Sequence, residues 1–302
     1  METQPRASVD RPMPEVEGVT HHFVTVRGIR VHVAEAGEGE AVVLLHGWPQ
    51  HWWSWRHVLP ELARHHRVIC PDIRGLGWSE GTRTGYDLDS LADDVVALAD
   101  ALGVERMALV GHDWGNVIGF VACSRYPERF TKFVGLGGIH LWTRDGLRVP
   151  LLLRFRHIYL LAVAGRIATS RSRLPEWALR TWRHAGAFTP DEVAEYAASV
   201  RTKASINATA KYYRHVVFRA IPHYFFHYRK VRLTVPTLHI NGEHDPLFIG
   251  MPDTGGKYAD DYRFEIMPGV GHFIPDEAPD RLLEHLTAFL TSEEEVTRRG
   301  DS

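Results

Sequence analysis

The chain of 302 residues is poor in cysteine, has almost no charge imbalance and has no long apolar run. Its two cysteines, Cys70 and Cys123, each belong to a short apolar stretch, Val68 and Ile69 before the first and Phe120 to Ala122 before the second. They read as small buried hydrophobes in a reducing compartment, so a cytoplasmic location is expected. A formal net charge of -2 removes any overall reason to expect a nucleic-acid partner. The most apolar stretch, residues 149–165, carries Arg154, Arg156 and His157 and is short for a bilayer span, so no integral membrane segment is expected. No secretory signal is visible either. Residues 1–17 are polar and proline-bearing and are expected to form a flexible lead-in.

What is present is an alternation. Residues 23–34 alternate about Gly28 as a hairpin would. Residues 41–45, 67–70, 107–110, 133–136 and 237–240 are short apolar runs of the kind buried on both faces of a parallel sheet, and 262–266 follows as a further strand. Residues 88–102 have helical spacing and stop at Gly103, 116–124 begin a helix and 281–290 close the chain with another. Strands alternating with helices predict an α/β fold, a mostly parallel sheet with helices on both faces. The alternation breaks between residues 141 and 232, where helical patterns dominate. There nine arginines between 144 and 183 face only Asp145 and Glu176. The expected organisation is therefore a core at 18–140 and 233–302 with a helical cap insertion at 141–232. The basic bias of the insertion is read as a solvated face, with a preference for anions or a membrane surface as the rival reading.

Two five-residue frames compete as nucleophile turns: Gly77-Trp78-Ser79-Glu80-Gly81 and Gly111-His112-Asp113-Trp114-Gly115. A nucleophile elbow requires a strand before it and a helix after it. Ser79 has loop on both sides. Asp113 follows the strand at 107–110 and precedes the helix at 116–124, so Asp113 is the expected nucleophile and Ser79 a loop residue. In this topology the acid and the base follow in that order. Asp245 follows the strand at 237–240, with Glu243 a rival, and His272 lies in a glycine-rich loop after the next strand. Both fall at strand ends, where open parallel sheets place their ligands. Other histidine pairs carry less. His223 and His227 share one helical face but have no third ligand, so no metal is expected.

The chain resembles the α/β-hydrolase fold from about residue 20 to residue 292. His46-Gly47-Trp48-Pro49-Gln50, Asp72-Ile73-Arg74-Gly75-Leu76-Gly77-Trp78-Ser79, the Gly-His-Asp-Trp-Gly turn and Gly271-His272-Phe273 are similar to the epoxide hydrolase branch, with haloalkane dehalogenases as close neighbours. The resemblance implies an oxyanion hole from the backbone N–H groups of Trp48 and Trp114, a cis Pro49, and no cofactor. It also implies cap tyrosines that protonate the leaving oxygen. Tyr213, in Tyr212-Tyr213-Arg214, is the first of these, and Tyr159 is the expected second, with His157 as its rival. Tyr212, Trp114 and His157 are expected to contact substrate. A carboxylate suits attack on saturated carbon, giving an alkyl ester that His272-activated water then hydrolyses. The substrate expected is a small hydrophobic epoxide. A dehalogenase would use the same triad, with Trp114 and one of Trp142, Trp177 or Trp182 on the halide. A non-catalytic binding protein on this fold would be expected to have lost a triad member.

Overall fold

The computed structural model describes residues 11–137, 156–184, 186–220, 232–248, 255–257 and 259–291. The chain enters through a hairpin, Thr20–Val26 (β1) and Ile29–Ala36 (β2). Its turn residues Arg27 and Gly28 take φ of 48° and 80°, the two successive left-handed residues that a tight hairpin turn matching strand twist demands. Six further strands follow: Ala41–Leu45 (β3), Arg67–Pro71 (β4), Met107–His112 (β5), Phe130–Leu136 (β6), Thr237–Gly242 (β7) and Tyr262–Met267 (β8). They form one eight-stranded sheet in the order β1-β2-β4-β3-β5-β6-β7-β8. Every pairing from β4 through β8 is parallel, while β2 is antiparallel to both of its neighbours. β3, β5 and β7 are buried along their whole length, because helices cover both faces.

One face carries Leu88–Ala101 (α2) and Trp114–Arg125 (α3). The other carries the short Leu59–Leu62 (α1) and the final Pro279–Leu290 (α9), with Ile274–Glu277 (α8) just before it. Helix α2 buries Leu91, Val95 and Leu98, three of the four positions its spacing marks. The Asp87 side chain caps it by accepting the Ser90 N–H at 2.8 Å. Between β6 and β7 the described residues form Arg156–Arg171 (α4), Leu174–Thr181 (α5), Pro190–Val200 (α6) and Lys203–His215 (α7), and no strand. α4 lies close against α7, since a Cβ on Gly165 would stand 2.9 Å from the Ala210 Cα.

The lead-in departs from its expectation at its inner end. Arg11 lies 4.2 Å over the Trp78 ring and pairs with Glu195 of α6, while the Trp78 indole N–H donates to the Arg11 carbonyl at 3.2 Å. A cation over an aromatic face combined with an ion pair fixes this segment. Both partners are distant in sequence, so local composition gave no hint of them.

Candidate active site

The site is built on the C-terminal ends of β3, β5, β7 and β8. Asp113 stands between β5 and α3 with φ 53° and ψ -110°, one of two non-glycine residues with positive φ among the described residues. A left-handed aspartate between strand and helix is the strained elbow that exposes a nucleophile. Glycines make room for it. A Cβ on Gly47 would stand 2.3 Å from the Asp113 Cβ, one on Gly111 would meet the Gly115 carbonyl oxygen at 2.2 Å, and one on Gly115 the Leu45 carbonyl oxygen at 2.1 Å.

The Trp48 backbone N–H donates to Asp113 Oδ1 at 2.9 Å. Trp114 is the first residue of α3, and its N–H has no acceptor within the helix. The Trp48–Pro49 peptide is cis. The loop carrying Trp48 is seated by His46, whose Nε2 accepts the Ile73 N–H at 3.0 Å. It is seated further by the buried Asp72, which accepts from the backbone N–H groups of Trp52 and Trp78 and pairs with His32. Ser79 is part of this scaffold: its hydroxyl donates to the Asp72 carbonyl at 2.6 Å and accepts the His32 N–H.

His272 is buried, with Nε2 3.5 Å from Asp113 Oδ2 and Nδ1 3.0 Å from Asp245 Oδ2. The Asp245 carboxylate is buried too, and its Oδ1 accepts the Leu247 N–H at 2.8 Å. Glu243 is exposed and accepts from the Gly269 N–H, so Asp245 is the acid that meets His272. Burial favours the neutral imidazole, but the Asp245 and Asp113 carboxylates outweigh it and hold the His272 pKa up to about 10. Burial would raise the Asp113 carboxyl, yet the hydrogen bond and charge of His272 keep it below its usual value.

The inserted helices close over this centre. Tyr213 is buried with its ring edge-on to Trp48 and Trp114, at centroid distances of 5.9 and 5.3 Å. Burial and the Asp113 charge push its hydroxyl pKa well up, so it holds its proton. Tyr212 ring-packs on Trp114, but its hydroxyl donates to the Arg74 carbonyl at 2.8 Å. That proton is therefore engaged in tying α7 to the core. Tyr159 is corrected outright: it is exposed on the outer face of α4. Two residues along a helix is more than half a turn, so His157 faces inward instead. His157 is buried and packs against Trp182 at 4.6 Å, and Trp182 in turn lies edge-on to His272 at 5.6 Å. Trp177 is part-exposed behind Trp182. Trp142, His223 and His227 lie outside the described residues.

Two residues were missed from sequence. Glu277 accepts the Phe273 N–H on Oε1 and the N–H groups of Gly271 and His184 on Oε2, each at 2.7–2.8 Å. It therefore grips the loop on both sides of His272 and holds it to the insertion. Asp276 is buried with Arg56, Gln50 and Tyr196 around it, and burial lifts its pKa to about 6. The one available signal was two acids directly following the histidine loop.

A family model described as alpha/beta hydrolase fold matches residues 40–279. The chain belongs to the α/β-hydrolase family. A soluble epoxide hydrolase of Corynebacterium sp. (strain C12) is 30% identical over 292 residues, spanning 90% of this chain and 97% of that protein. The solved structure of a putative epoxide hydrolase from Pseudomonas aeruginosa superposes with a TM-score of 0.83 at 27% identity, covering 94% of this chain and 99% of that one. A putative acyltransferase from Salmonella enterica superposes equally well, with a TM-score of 0.83 at 28% identity over 93% and 98% of the two chains. Fold likeness of this kind does not select a chemistry; the groups at the elbow must. No described helix of this α/β hydrolase is long and apolar enough to cross a membrane.

Proposed function

We propose that this α/β hydrolase opens epoxides of small hydrophobic substrates to vicinal diols, with residues 141–232 as the cap. One observation carries the reading: a carboxylate stands at the elbow, facing a buried His–Asp pair on one side and a protonated cap tyrosine on the other. An acyl substrate would convert that carboxylate to an anhydride, whereas a strained ring gives a stable ester.

In the first half-reaction Asp113 attacks a ring carbon, the carbon–oxygen bond breaks, and Tyr213 delivers its proton to the departing oxygen. His157 is the second cap group placed to bind that oxygen. In the second half-reaction His272 takes a proton from water, and the hydroxide adds to the Asp113 carbonyl carbon. The N–H groups of Trp48 and Trp114 receive the oxyanion, each donor contributing about 3 kcal/mol, and collapse frees the diol and restores the carboxylate. Asp245 orients the imidazole. Trp48, Trp114, Trp182 and Tyr213 give the site an aromatic wall suited to apolar substrates.

The test is product analysis with aryl and alkyl epoxides alongside haloalkanes. Diol formation is expected. Halide release without diol would make the protein a dehalogenase, a reading that the buried Trp48 indole N–H, unpartnered among the described residues, keeps specific. Tyr213→Phe separates the two chemistries further. Losing the proton donor should slow epoxide opening by about 10²–10⁴-fold, whereas halide needs no proton and any haloalkane reaction should persist.

Glu277 yields a second expectation. A glutamine there has one acceptor oxygen where three backbone N–H groups now converge, so an amide NH₂ must face at least one of them. The loop holding His272 should shift, and ester hydrolysis should slow by about 10–100-fold while ester formation is kept. Rapid-quench kinetics of Glu277→Gln would show the ester building up. Equal slowing of both steps would count against this positioning role.

A further inference from the structure

The outer surface of α4 and α5 is not that of an ordinary solvated helix pair. Tyr159, Leu160, Val163 and Ile167 of α4 lie on its outward side, with exposures of 36%, 47%, 71% and 63%, and Trp177 of α5 adds an indole at 40%. Their spacing, three to four residues apart, makes one continuous row. Exposed arginines frame the row: Arg156 and Arg171 at the ends of α4, Arg166 beside its middle, Arg173 and Arg180 along α5. No ion pair involves these five among the described residues. The only acid from 156 to 183 is Glu176, which is bridged by Arg201. Positive charge is thus concentrated here on a chain whose overall balance is slightly negative.

We propose that this face of the cap rests on an anionic lipid surface, with α4 lying in the plane of the headgroups. An apolar row flanked by arginines and carrying a tryptophan and a tyrosine is the composition of an interfacial helix. Anionic headgroups supply the countercharge that the protein does not. Self-association through the same face is disfavoured by the same feature. A two-fold pairing presents each patch to its own copy, bringing two sets of unneutralised arginines together. The patch lies on the back of the helix whose inner face carries His157, so docking would set the cap against the phase into which hydrophobic epoxides partition. Surface binding stands apart from the catalytic reading and is measured without substrate.

The experiment is sedimentation of the full chain with vesicles of phosphatidylglycerol and, separately, of phosphatidylcholine. Binding to the first and not the second is expected, with release as salt is raised. Val163→Glu with Ile167→Glu should abolish it. Arg156→Gln and Arg171→Gln should each weaken it by about fivefold. Turnover of a water-soluble epoxide should be unchanged in all of these variants, which shows that they fold. Equal binding to both vesicle types, or binding to neither, overturns the proposal. So does a concentration-dependent dimer that Val163→Glu with Ile167→Glu dissolves, which would assign the face to a second copy of the chain.

Discussion

Replacing Asp113 with alanine should abolish turnover, lowering kcat/KM by at least about 10⁴-fold, the loss typical of removing a covalent nucleophile. The fold should tolerate the change, and the reason is local. Asp113 holds φ 53°, a conformation costly for any side chain, and its carboxylate is gripped mainly by the Trp48 N–H and by His272. Truncation removes charge from the pocket without removing apolar packing. Circular dichroism and thermal melting should therefore resemble those of the parent, while diol formation falls to background. If the variant kept a substantial fraction of parental activity, water would have to be attacking the epoxide directly and the covalent route would be wrong.

The second large effect is qualitative. His272→Gln should stall the enzyme halfway, and intact-mass measurement after mixing with an epoxide should show the protein heavier by one whole substrate molecule. Asp113 and Tyr213 suffice for ring opening, and neither depends on His272 for its position; the Trp48 N–H and the elbow hold the one, helix α7 the other. Hydrolysis of the ester needs a base, and among the described residues no other titratable group is shown within reach of a water on Asp113. The adduct should vanish in Asp113→Ala with His272→Gln. An alkyl-group gain accompanied by free halide from a haloalkane would reassign the chemistry, and absence of any adduct would return the protein to its fold alone.

The core was legible because its signals are local. Continuous apolar runs marked β3, β5 and β7, and the strand–turn–helix context set Asp113 apart from Ser79, whose hydroxyl proves to brace the Asp72 loop. The order of Asp113, Asp245 and His272 along the chain could be read because each follows its own strand. The cap was harder. Which of two residues on one helix faces inward depends on the helix's phase, and α4 could present either His157 or Tyr159 until its packing on α7 was known. Tyr212 and Tyr213 posed the same problem; the Arg74 carbonyl, far away in sequence, engages one hydroxyl and so distinguishes them. Glu277 and Arg11 act through backbone N–H groups and an aromatic face brought near only by folding, and no motif announces such partners.

The two carboxylates flanking His272 also order the half-reactions in time. At rest the imidazole is a cation shared between two anions and cannot act as a base. Forming the ester turns Asp113 neutral, and with one anion gone the imidazole loses much of its reason to keep the proton. Deprotonation thus becomes favourable just after Tyr213 has surrendered its own proton to the substrate, so the site starts each cycle holding a proton that it can release once ring opening is done. The base is armed by the ester it will cleave, and water reaching the site before ring opening meets no competent catalyst.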